Sequence, residues 1–233
     1  MITKKEIKSK LETNLGNFLN QHGYKKKKVA SDMITLFTNE SENYNYAFSC
    51  SSVLYEVHRL IYGFAFGIKE VVLIQQEIDN HVPLARNKYI IQPYIMNISP
   101  GVLLDPFNIY KAYKDIDTEE KLVEVFNDIM NFYNSKFIPF CNQYSNYKNL
   151  DKEFNSFDNF YIKGNGIYPS LTFFHETRLI IARLANNPEY EKVVEKNFEA
   201  LEYLWEQDGG KYDRFDETKP EVFAAKYLRD LKV

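Results

Sequence analysis

"RLIYGFAFGIK", residues 59–69, decides the fold class. Leu60, Tyr62, Phe64, Phe66 and Ile68 fall on every second position, and Ile61, Gly63, Ala65 and Gly67 fill the alternates. A period of two belongs to a strand, because successive side chains point to opposite faces of a sheet. One face of this strand is bulky and the other nearly bare. A bare face admits a closely packed helix, or it floors a ligand groove. For the second case the candidate residues are His58, Gly63, Ala65 and Gly67.

Upstream, Tyr44, Tyr46, Phe48, Cys50 and Ser52 alternate with smaller residues, which predicts a second strand. Residues 32–39 read as its partner, joined through "NESEN" at 39–43, a run of turn formers. A further strand is expected at 89–98, and Pro93 there lacks an N–H, which assigns that strand to an edge. Before the strands, Thr3 and Glu6 have capping-box spacing, and Ile7, Leu11, Leu15, Phe18 and Leu19 recur at helical spacing. Gly23 supplies the stop, so a helix is predicted over 3–22.

After residue 115 the period becomes helical. Asp117 and Glu120 suggest a second capping box, followed by a stripe of Leu122, Val125, Phe126, Ile129, Tyr133 and Phe137 that Pro139 disturbs. Helices are predicted over 146–156, from Pro169 to about Ala185, from Asn187 onward, and after Thr218 and Glu221. Gly209 and Gly210 end the third of these. The fold class is α+β: one helix on an antiparallel sheet of about four or five strands, then a mainly helical C-terminal half. A sheet region over 1–110 and a helical region over 111–233 are expected, divided where Pro100, Gly101 and Pro106 cluster.

With 233 residues the chain buries enough surface to need no disulfide or metal staple. A 16% aromatic content argues against global disorder, and the net charge of −3 gives no global pull toward polyanions. Charge is uneven, however. Residues 1–28 carry eight lysines against Glu6 and Glu12, and residues 187–221 carry eleven acids against five bases. Two cysteines, Cys50 and Cys141, suit reduced thiols, and Cys50 reads as core. The charged N-terminus "MITKKEIKSK" lacks the apolar stretch of a signal peptide, so a cytoplasmic location without membrane attachment is expected.

Enzyme signatures fail on spacing. "FHETRLIIARL" at 174–184 has Leu179 where a zincin needs its second histidine, so His175 and Glu176 read as a helix-surface pair. No two of His22, His58, His81 and His175 have ligand spacing, and no metal or other cofactor is expected. "KGNG" at 163–166 is too short to cradle a phosphate. "DGGKYDRFDE" at 208–217 misses the alternating acids of a calcium loop and reads as a solvated loop. No catalytic residue is assigned, and the reading leans away from an enzyme. Four consecutive lysines, Lys25, Lys26, Lys27 and Lys28, remain. In a strand they cannot all share a face, and lysine on an edge discourages edge-to-edge pairing. As a patch they would suit an acidic protein partner, or nucleic acid as the weaker reading against an acidic pI.

The block "FLNQHGYKKKK" (18–28), the aromatic strands at 33–38, 44–54 and 59–68, and "FIPFCNQYSNYKNL" (137–150) stand in an order that resembles the bacterial family of unknown function DUF4304. The resemblance covers residues 3–155 and leaves 165–233 unexplained. It implies an α+β fold in a small bacterial cytoplasmic protein and carries over no catalytic residue. The expected function is a non-enzymatic macromolecular interaction module, of which an immunity or defence component is one type, and whose partner is another protein. The alternative is a small-molecule-binding protein or hydrolase with its site on the small-residue face of the sheet.

Overall fold

A computed structural model describes residues 3–28, 34–54, 58–82, 96–98, 114–156, 168–169, 174–207 and 209–232. The α+β class holds. The antiparallel sheet has the order β1 (Lys25–Lys27), β2 (Ile34–Glu40), β3 (Tyr44–Leu54), β4 (His58–Ile68), β5 (Met96–Ile98) and β7 (Tyr168–Pro169), with β6 (Lys114–Asp115) also paired to β4. Contacts divide the chain into two discontinuous units. One comprises residues 1–67, 96–141 and 164–168, and the other 68–95, 142–163 and 169–233. The division therefore differs from the expected single break near residue 110, because the chain leaves the first unit at Gly67 and returns to it at Met96.

In the first unit, helix α1 (Lys4–Gln21) starts with the capping box: Thr3 Oγ1 accepts from the Glu6 N–H at 3.3 Å, and Glu6 Oε2 accepts from the Thr3 N–H at 2.7 Å. Gly23 follows the helix at φ +81°, a conformation that costs other residues 1–2 kcal/mol or so. Strand β1 (Lys25–Lys27) then pairs with β2 (Ile34–Glu40), and β2 pairs with β3 (Tyr44–Leu54). The hairpin closes where the Ser41 N–H donates to the Tyr44 carbonyl at 2.9 Å and the Tyr44 N–H to Ser41 Oγ at 3.1 Å. Strand β4 (His58–Ile68) is the predicted central strand, joined by β5 (Met96–Ile98), β6 (Lys114–Asp115) and β7 (Tyr168–Pro169). β5 lies between β4 and β7 and is not an edge over its described length. Pro93 lies outside the described residues, as does "KGNG".

The bulky face of β4 meets helix α3 (Glu119–Phe132) and the π-helical turn Tyr133–Phe137. Phe64 has ring-centroid separations of 4.7 Å from Phe137, 4.9 Å from Phe48 and 5.4 Å from Tyr133. On the same face, Phe37 packs beside Gly16 of α1, and Leu11, Leu15 and Leu19 are buried. Hydrophobic burial and aromatic packing hold this layer together. The π turn directly precedes helix α4 (Ile138–Tyr144), which contains Pro139. Proline has no N–H for the i→i−4 ladder, and a wider turn just ahead of it absorbs the missing bond. The cap of α3 is Thr118, whose Oγ1 accepts from the Lys121 N–H at 3.3 Å. Asp117, the expected cap, pairs with Lys121 Nζ at 2.8 Å instead.

The second unit consists mostly of helices. Helix α2 (Lys69–His81) is unanticipated, although its buried Val71, Val72, Gln75 and Ile78 follow helical spacing. Helix α5 (Tyr147–Asn155) is capped by Asn146, as expected over 146–156. Helix α6 (Phe174–Leu184) starts later than predicted, since Pro169 lies in β7. Asn186 adopts φ +52° to end α6, and Asn187 Oδ1 accepts from the Glu189 N–H at 2.7 Å before helix α7 (Tyr190–Gln207). Helix α8 (Pro220–Asp230) has Lys219 as its cap and Pro220 at its first position. Thr218 does not cap it, because its hydroxyl donates to Asp216 at 2.6 Å. Helices α2, α5, α7 and α8 all pack against α6.

Candidate functional site

The site is built from α6 outward. Every residue from Glu176 to Ala182 is buried. Seven consecutive positions cover all sides of a helix, so α6 is enclosed by its neighbours. That corrects the surface-pair expectation: Glu176 is buried, and His175 just before it is half-buried. The apolar half, Leu179–Ala182, accounts for the burial, and the polar half is carried in with it.

Buried polar groups are costly without partners, and several of them are paired here. His175 Nδ1 lies 2.9 Å from Asn197 Oδ1, an acceptor, so the ring donates from Nδ1. Asn197, fully buried on α7, donates Nδ2 to the Val193 carbonyl at 3.2 Å. Gln75 Nε2 donates to Thr177 Oγ1, and Asn155 Nδ2 donates to the Arg178 carbonyl at 3.1 Å. Burial lowers the pKa of His175 and brings the Arg178 guanidinium down to about 9. Burial raises that of Tyr212, with Glu221 and Glu176 adding to it. Burial therefore favours the uncharged imidazole at neutral pH, while the Asn197 bond acts the other way.

An open groove of about 380 Å³ runs between α7, α8 and the segment at 214–217. Val194, Phe198, Val222 and Ala225 give it an apolar lining, and Phe215, 84% exposed, stands at its side. Ion pairs form the rim. Arg214 Nη1 reaches Glu195 at 2.8 Å, and its Nε and Nη2 grip both oxygens of Glu202 at 2.7 and 2.6 Å. Arg229 holds Glu191 through two bonds of 2.9 and 2.6 Å, and Lys226 holds Glu217 at 2.7 Å. The Glu202 hydrogen bond, then that of Glu195, raises the Arg214 pKa, and the carboxyls of Glu202 and Glu191 fall below their usual values. These shifts hold the groups in their charged forms. General acid–base work instead calls for pKa values brought toward the operating pH.

Over its described residues, 209–217, the segment is thus no free solvated loop. Gly209 turns at φ +75°, the Gly210 N–H donates to the Trp205 carbonyl at 2.8 Å, and Tyr212 is buried. Lys219 Nζ lies 4.0 Å from the Tyr212 ring centroid and 5.1 Å from that of Trp205, a cation–π geometry.

The residues singled out in the sequence lie in the other unit and do not converge. Lys25, Lys26 and Lys27 form β1 at the end of the sheet order, and Lys28 follows it; all four are exposed. Lys26 Nζ pairs with Glu12 of α1 at 2.8 Å. Ala65 and Gly67 are buried and Gly63 is half-buried; none of them lines the groove. His58 begins β4, and its side chain lies outside the described residues. Cys50 and Cys141 are both buried, and burial raises both thiol pKa values, the opposite of an activated nucleophile. Among the described residues no cluster of His, Cys, Asp and Glu could hold a metal ion, and no helix is long and apolar enough to cross a membrane.

The groove escaped sequence reading because its ion pairs join residues 9 to 38 positions apart. The one available signal was the acidic excess over 187–221. Comparison with protein-family models, with curated proteins and with solved structures finds no match.

Proposed function

We propose that this chain is a non-enzymatic interaction protein that holds a partner protein in the groove between α7 and α8. The observation that carries the reading is Phe215. A phenylalanine left 84% exposed beside an apolar groove loses the benefit of burial unless something covers it. The rim suits a protein partner, because aromatic anchors and arginine ringed by polar groups characterise such contacts. The acidic excess over 187–221 selects a basic partner segment carrying an apolar side chain that packs on Phe215. The resemblance to the DUF4304 family fits a small bacterial cytoplasmic setting, in which an immunity or defence component would act by holding another protein.

The test compares the wild-type chain with Phe215→Ala as tagged baits in host lysate, with and without nuclease. The exposure of Phe215 leaves folding unchanged in the variant, which far-UV circular dichroism checks. A stoichiometric protein that survives nuclease, is lost with Phe215→Ala and contacts the groove through a basic segment supports the reading. Equal capture by the two baits, or capture that nuclease abolishes, overturns it.

A further inference from the structure

The Lys25–Lys28 run has a place in the fold that goes beyond the groove. We propose that β1 is an acceptor edge for an acidic, extended segment of a partner protein, which adds to the sheet as an antiparallel strand. β1 ends the sheet order, so among the described residues it has a strand on one side only, and all three of its residues are exposed. A free edge presents backbone N–H and C=O groups ready to pair with another chain. The lysines decide which chain. Lys26 stands opposite Phe37 in register, on the α1 side, where it pairs with Glu12 at 2.8 Å. Alternation then turns Lys25 and Lys27 to the other face, opposite Thr38 and Leu36. No carboxylate of the described residues pairs with Lys25, Lys27 or Lys28.

A second copy of this edge laid against the first would set lysines across from lysines, which is repulsive on a sheet. The same charges attract a strand that carries Asp or Glu on alternate positions. Repulsion of its own kind and attraction of the opposite charge thus arise from one feature, a common route to specificity. Three residues offer few backbone bonds, so charge supplies much of the selectivity, and the contact weakens as salt screens it.

The probe is a fluorescein-labelled peptide, Glu-Val-Glu-Val-Glu-Val-Glu, titrated into the full-length chain. A matched peptide with prolines in place of the valines keeps the charge and removes strand pairing. Binding of the first peptide is expected to weaken about tenfold in the variant K25E/K27E, in line with two or three cross-strand charge pairs, and about as much for the proline peptide. Amide exchange at Lys25–Lys27 should slow when the first peptide binds. Equal binding of the two peptides, or equal binding by the variant, overturns strand addition. Sedimentation of the free chain provides the control: self-association that K25E/K27E abolishes would make a second copy the occupant and overturn the proposal. Phe215→Ala should leave peptide binding unchanged, which separates this edge from the groove.

Discussion

Asn197→Ala is the most informative single change in the polar network around α6. The side chain is fully buried; it accepts from His175 Nδ1 at 2.9 Å and donates to the Val193 carbonyl at 3.2 Å. A net hydrogen bond contributes about 1 kcal/mol, and taking the acceptor from a buried N–H costs roughly 1–3 kcal/mol more. The expected loss is therefore about 2–4 kcal/mol. Urea unfolding followed by circular dichroism at pH 8, where His175 is neutral, measures it. His175→Ala and the double variant complete a cycle, with an expected coupling of about 1–2 kcal/mol. If Asn197→Ala costs less than about 1 kcal/mol and the coupling lies within about 0.3 kcal/mol of zero, the two side chains do not depend on each other, and the network as described is refuted.

Two further outcomes follow from the same geometry. Burial lowers the His175 pKa below its ordinary 6.5, so between that value and the folded pKa the unfolded chain binds more protons; stability should be full above about pH 6.5 and fall as pH drops below it. The Asn197 bond opposes that lowering, so Asn197→Ala should steepen the loss, and a pH series of urea midpoints would show it. In the sheet unit, Phe64→Ala removes a ring that is 1% exposed and in contact with Phe48, Tyr133 and Phe137, and should cost about 3–5 kcal/mol; a cost under about 2 kcal/mol in thermal or urea unfolding would contradict the aromatic core.

Local rules account for much of the structure. The capping box at Thr3 and Glu6, the left-handed stop at Gly23, the period-two strands at 34–40, 44–54 and 58–68, and the stop at Gly209 each depend on residues within a turn or a strand of one another. Period and cap chemistry encode such features directly. Competition at close range misled the reading of two caps. Asp117 prefers Lys121, and Thr218 prefers Asp216, so Thr118 and Lys219 take the cap positions.

The sequence by itself determined the α+β class, most of the helices and the long strands, and that neither a zincin nor a phosphate-loop spacing is present; helix α2 was not legible in it. It also determined that four lysines cannot share one face of a strand. Only the tertiary structure decided which surfaces those residues occupy. Glu176, Thr177 and Arg178 look like a helix exterior by composition, yet they are buried because α2, α5, α7 and α8 surround α6, and burial is set by neighbours distant in sequence. The lysine run became an edge because β2 pairs with β3 on its other side. The groove exists because Arg214, Lys226 and Arg229 each find a carboxylate on another element, while Phe215 finds no cover. Periodicity reports a residue's own element; charge pairing and exposure depend on what that element meets.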